Sequence, residues 1–326
     1  MQYGELITRS FTIMWRHRYL WLLAILGGAD VGSGFGFSGN LNAPFRGITP
    51  GVSPAVSQFL QDHLGLIVTV VVFALLGVLA WFLLSCVTTG ALVRASAEHD
   101  AERPFRFGLA WRTGLGTFWS ILGLRLLGLV LGLLVVALLG LLALLGFLAY
   151  SGGQSGALAL VVVVGVLLVL ALIPAAVLVG IAFILATRSV VLEQRGAVAG
   201  LGRALHLLQV RLGRVLLVWL IQVGLALAAA FVLAIPLIGV LAVLGGLILG
   251  LALGVGAAAA VVVGVPIGLA VLAGLVVLGG MTGSYFSTYW TLAFRRMELD
   301  TPRPAVAWPS GYPPQPPAGY SPPPAG

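Results

Sequence analysis

The sequence predicts an all-α polytopic membrane protein. It has about six transmembrane helices, three interfacial amphipathic helices in a pseudo-threefold repeat, and a disordered C-terminal tail. Three observations predict this. Hydrophobic residues make up 60% of the 326-residue chain and charged residues 8%, whereas soluble domains run near 45–50% and about 25%. Apolar runs of twenty and more residues recur, and about 20 helical residues cross about 30 Å of hydrocarbon. Arginines gather at the ends of those runs, which is how membrane topology is written in sequence.

Tyr3–Met14 opens the chain with Tyr3, Leu6, Ile7, Phe11 and Met14 on one helical face and Glu5, Thr8, Arg9 and Thr12 on the other. That spacing suits a helix lying in the interface. Trp15, Arg16, His17, Arg18, Tyr19 and Trp21 mark a head-group boundary, and Leu20–Gly28 then enters the membrane as a short first span. A cleaved signal peptide is the competing reading, with Tyr19–Leu26 as its apolar core and a small-residue site near Ala29. Residues 30–57, rich in Gly, Asn, Ser and Pro, read as an extracytoplasmic loop.

Leu64–Val93 is the second span, closed by Arg94 and the polar turn Ser96–Pro104. Phe105–Phe118 repeats the amphipathic opening, Trp119–Tyr150 is the third span, and Gly156–Ala186 is the fourth, with Pro174 as a tolerated kink. Arg188–Arg214 is a basic island between two hydrocarbon blocks, carrying Arg188, Arg195, Arg203, Arg211 and Arg214 against Glu193 alone. Val215–Phe294 is basic at both ends, so it holds an even number of crossings. Two spans kinked at Pro236 and Pro266 turn within Gly245–Gly256. The membrane domain is therefore 1–296, in units of about 3–104, 105–196 and 197–296. Residues 297–326 are a proline-dense tail that cannot pack a core.

All 17 basic residues are arginine, as in GC-rich bacterial genomes. With six spans, Arg46 falls on one side, Arg125 inside the third span and the other fifteen on the opposite side. The positive-inside rule then makes this a multi-pass protein of the bacterial plasma membrane with both termini cytoplasmic. A net charge of +8 can signal nucleic acid, but arginines beside apolar ends point to anionic membrane lipids as partners and not to nucleic acid.

Candidate chemistry is sparse. Arg125 lies about two turns into a span, where an arginine either snorkels to phosphates or serves a polar cavity or head-group site. Arg16, Arg18, Arg112, Arg203, Arg211 and Arg214 are the other candidate head-group contacts. Ser284, Ser287, Thr288 and Thr291 form a hydroxyl stripe that either lines a substrate path or bonds neighbouring helices. The glycine sets Gly128/Gly132, Gly246/Gly250/Gly254 and Gly279/Gly283 have the spacing of close helix packing. The four histidines read as solvated interface residues without metal-pair spacing. No carboxylate falls inside a span, no nucleophile–base set or phosphate loop is present, and no cofactor or metal is implied.

The segment Tyr3–Phe11 running into Trp15 and Tyr19–Leu23, with Phe105–Trp119, Ala197–Trp219 and the close Tyr285–Arg296, resembles a family of bacterial integral membrane proteins. That family is related to the membrane domain of some glycerophosphoryl diester phosphodiesterases. The resemblance covers about residues 1–296 and implies a helical membrane fold. It brings no hydrolase, because those enzymes carry a separate catalytic barrel and only the short tail follows the membrane region here.

The expected function is a non-catalytic membrane scaffold or accessory protein that engages anionic lipid or a protein complex. The proline-rich tail is a possible partner ligand. The alternative is a transporter or lipid carrier with a cleft between the repeats.

Overall fold

A computed structural model of the chain describes residues 3–28, 63–153 and 155–299. They form helices joined by short turns and loops, without a strand among them. The elements are α1 (Tyr3–Arg16), α2 (Tyr19–Leu23) continuing into a π-helical turn at Ala24–Gly28, α3 (Leu64–Asp100), α4 (Phe107–Ser151), α5 (Ser155–Leu192), α6 (Ala197–Gly254) and α7 (Ala257–Leu299). The last five are long and apolar enough to cross a membrane. The Asp30–Ser57 loop, the tail from Asp300 onward and any signal cleavage near Ala29 lie outside the described residues.

The expected first span differs from this. Tyr19–Gly28 is ten residues long, which rises only about 15 Å, half of a hydrocarbon core. It ends at Gly27, whose φ of +97° breaks the helix. A β-carbon at Gly27 would lie 2.5 Å from Ser85 Cβ of α3. One at Gly280 of α7 would overlap Ile25 and sit 2.9 Å from the Trp21 carbonyl oxygen. The segment is thus wedged between two spanning helices. Five long apolar helices, not six, stand among the described residues.

Two of the three expected interfacial helices also merge with their neighbours. Only α1 is separate. Phe107–Ser151 runs unbroken from the amphipathic stretch through the apolar one, and so does Ala197–Gly254 but for one break at Arg211 (φ −130°, ψ 32°). No proline stands at either junction, and the glycines there, Gly114, Gly116 and Gly213, each cost a helix only about 1 kcal/mol, which does not stop it. The helices pass through Pro174, Pro236 and Pro266. The turn between α6 and α7 falls at Val255–Gly256, with Gly256 at φ +122°. At the other boundary α7 continues past 296 to Leu299, and Met297 is buried in the core.

Each spanning helix has two unlike parts. Exposed Leu, Val and Phe dominate from Leu64 to Leu83 in α3, from Leu126 in α4, up to Ile173 in α5, and through the adjoining halves of α6 and α7. In α3 this stretch is 21 residues, Leu64–Leu84, before the buried run starts at Ser85. That rises about 31 Å, the thickness of a hydrocarbon core. The packed core lies at the other end. Leu6, Leu20, Leu23, Leu92, Leu185, Val218, Trp290 and Phe294 meet there from α1, α2, α3, α5, α6 and α7.

Ion pairs tie that same end together. Arg295 reaches Asp100 at 2.7 Å and the Ala97 carbonyl at 2.8 Å, and Arg296 reaches Glu5 at 3.3 Å. The start and finish of the described chain therefore lie side by side.

Candidate functional site

At the basic end, the C-terminal half of α1, the α1–α2 turn, the end of α3 and the 101–106 loop enclose a cleft of about 560 Å³. Its walls carry Arg9, Arg16, Arg103 and Arg106, the rings of His17, His99 and Phe105, and one carboxylate, Glu102. The loop holds its shape through Glu102 itself, which adopts a left-handed φ of 56°. Its carboxylate accepts a 2.9 Å hydrogen bond from Arg9. That bond, with the Arg9 charge, holds the Glu102 carboxyl below the usual range.

The arginines divide by role. Arg9 is committed to Glu102 and Asp100, and Arg103 stands 3.6 Å from Glu98. Arg16 and Arg106 are exposed and form no ion pair among the described residues. The floor is aromatic. His17 and His99 stack with ring centroids 3.6 Å apart and planes 8° from parallel, and the Tyr19 hydroxyl lies 2.5 Å from His99 Nε2. Burial first, then the Arg16 charge, keeps the His17 pKa below its ordinary value, so its neutral form is favoured. Two neutral rings can stack; two imidazolium rings at that spacing would repel. These two histidines are not simply solvated, whereas His63 and His206 are exposed.

The structure spreads the other sequence candidates. Arg18 is exposed on the α1–α2 turn. Arg112 lines a second, smaller cleft of about 440 Å³ with Arg94, Thr113 and Gln194. Arg203 lies between Glu193 at 3.8 Å and Glu298 at 4.0 Å. Arg211 sits at the break in α6, and Arg214 is exposed one turn on. Arg125 turns toward α3, donating to the Ser85 hydroxyl and, at 2.8 Å, to the Thr89 hydroxyl, with its guanidinium 5.8 Å from the Phe82 ring centroid. Ser85 is where the exposed part of α3 ends, so Arg125 stands at the edge of the apolar band rather than at its middle.

The hydroxyl stripe is fully buried. Thr288 lies 3.0 Å from the Ser96 hydroxyl of α3, while Ser284 and Thr291 donate to carbonyls of their own helix. Facing it is Arg188, also fully buried, donating to the Ile184 carbonyl at 3.0 Å and to the Ser287 carbonyl at 3.4 Å. Sequence reading placed Arg188 in the basic island without separating it from its exposed neighbours. Its position inside the apolar-to-basic junction was the available signal.

An apolar groove of about 690 Å³ runs along the other flank of α1, against α6 and α7. Ile7, Phe11 and Met14 face Leu225, Ala229, Val232, Leu278, Met281 and Tyr285 across it. Thr12 lines both this groove and the basic cleft.

Residues 8–300 match a family of unknown function (DUF7544). No curated protein and no solved structure matches the chain.

Proposed function

The chain belongs to the DUF7544 family of unknown function, and we propose that it is a non-catalytic membrane scaffold or accessory protein that engages anionic lipid head groups through its basic end. The observation that carries this is the cleft. Arg16 and Arg106 present uncommitted charge beside an interfacial helix, where phosphate head groups lie. A non-catalytic role is supported by the carboxylates. Five of the six among the described residues, Glu5, Glu98, Asp100, Glu102 and Glu193, are held in ion pairs by arginines. The likeness to the phosphodiesterase-associated membrane domain concerns the membrane region alone and adds no hydrolysis. The tail remains a candidate ligand for a protein partner.

Native mass spectrometry of protein extracted from phosphatidylglycerol-containing membranes tests the reading. Wild type should retain phosphatidylglycerol in preference to phosphatidylcholine. The double variant R16Q/R106Q should retain about tenfold less, since two lost phosphate contacts amount to about 1.4 kcal/mol or more. Equal retention by the variant would refute the cleft as the head-group site.

The placement in a bacterial plasma membrane, with both ends of the chain cytoplasmic, rests on the fifteen arginines grouped by the helix ends. A reporter fused after Gly153 should report the outside and one fused after Ala305 the cytoplasm. The same side for both would remove this topology. The repeat is supported by two turns 92 residues apart. Glu102 and Gln194 both adopt a φ of 56° after a spanning helix, and Arg103 and Arg195 follow them. A lipid carrier is the second reading, favoured by the apolar groove beside α1.

A further inference from the structure

We infer that a single anionic phospholipid straddles α1, with its phosphate in the basic cleft and an acyl chain in the groove between α1, α6 and α7. This rests on the head-group reading of the cleft and adds the seat of the chain.

Three observations lead to it. The cleft and the groove meet at Thr12, so one molecule can occupy both. Their characters are complementary to the two halves of a phospholipid. One side of α1 presents arginine side chains, and the other presents Ile7, Phe11 and Met14 against aliphatic walls. The groove also has an unmet polar group. Tyr285 lines it and is nine-tenths buried, yet its hydroxyl has no hydrogen-bond partner among the described residues. Tyr289, one turn further on, donates to the Val218 carbonyl at 3.1 Å. A buried hydroxyl without an acceptor is costly; this oxygen is shielded in the empty groove, so an ester carbonyl at the head of an acyl chain would accept from it once the Tyr285 ring turns outward. Thr8, Thr12 and Thr282 are no competitors for it, because each donates to a carbonyl within its own helix.

The geometry also explains why α1 is amphipathic yet only partly embedded. Leu6 and Ile13 face the core, whereas Phe11 stays half-exposed at the groove. A lipid chain would cover the face that the protein leaves open.

The test uses full-length protein in nanodiscs of phosphatidylcholine doped with a phosphatidylglycerol that carries a diazirine in its acyl chain. After illumination, peptide mapping should find label concentrated on Phe11, Ala229, Val232 and Leu278. The label should fall about tenfold in R16Q/R106Q and in Ala229→Trp, which fills the groove from α6. Leu278→Trp fills it from α7 and serves if the first substitution unfolds the protein. Label spread evenly over the exposed outer faces of α3 to α7 overturns the inference. So does label unchanged in the groove-filling variants while R16Q/R106Q loses it, which leaves the head-group reading standing. Loss in the groove variants alone, with R16Q/R106Q unaffected, overturns both, because the chain would then be held without the cleft.

Discussion

Gly114→Ala should destabilise the protein by roughly 3 kcal/mol, whereas Gly116→Ala, two residues along the same helix, should stabilise it by about 0.5–1 kcal/mol. The two substitutions add the same methyl group to the same helix, so propensity alone predicts equal gains. Packing reverses one of them. A β-carbon at Gly114 would overlap the carbonyl oxygen of Val87 and lie 3.1 Å from its carbonyl carbon, while one at Gly116 meets nothing within 4 Å. The obstacle at Gly114 is backbone, which cannot swing aside as a side chain can. Relief requires α3 and α4 to part. From the other side a β-carbon at Gly90 would stand 3.2 Å from Gly114 Cα and overlap the Thr117 hydroxyl. The helices therefore touch backbone to backbone, and separation would empty the contact around Cys86, Val93 and Ile121 as well. Denaturation of both variants in one detergent is the measurement, and shifts of the same sign would contradict the crossing.

That contact marks the limit of what could be read from sequence. The apolar runs, their approximate ends and the grouping of arginines were legible because each follows from composition averaged over twenty residues. Which glycines matter was not. The spaced sets Gly246/Gly250/Gly254 and Gly132 have open space around them, and Gly128 meets only the Phe183 ring. The close approaches are instead at Gly27, Gly90, Gly114, Gly200 and Gly280, where a β-carbon would press on Ser85, Thr117, Val87, Val190 and Ile25. With 45 glycines in the chain, spacing could not separate them, since which pair meets depends on where two helices cross.

The site was partly legible for the same reason. Arg16 stood out beside Trp15 and Tyr19, but its cleft is completed by Arg9, Arg103 and Arg106. Those come from one helix and a loop about ninety residues away in sequence, and only the fold brings them together. Similarly, Arg125 could be placed near a membrane boundary, but its turn toward Ser85 and Thr89 depends on the α3–α4 crossing. The short first segment shows the converse. Leu20–Gly28 is apolar enough to enter a membrane, yet Gly27 in a left-handed conformation ends the helix within ten residues.

Trp290→Ala should cost roughly 4 kcal/mol, and Trp119→Ala less than about 0.5 kcal/mol in the same detergent. Both are tryptophans on spanning helices. Trp119 is 78% exposed, so its ring already faces the surroundings, and truncation removes little that is packed. Trp290 is 1% exposed and belongs to the core to which all seven helices contribute. Its loss opens a ring-sized cavity where no side chain can follow. It also strands a polar atom. The indole N–H donates to Gln222 Oε1 at 2.6 Å, and Gln222 is itself buried. An orphaned buried amide adds about 1–3 kcal/mol of desolvation. Trp290→Phe separates the two contributions. It keeps most of the volume and removes only the donor, so its cost should fall between those of the two alanine variants, at about 2 kcal/mol. Adding Gln222→Leu to Trp290→Phe should then recover part of that loss, because the unpaired amide is gone. If Gln222→Leu instead deepens the loss additively, the indole–amide bond is not what joins α6 to α7. The cost at Trp290 would then be packing alone.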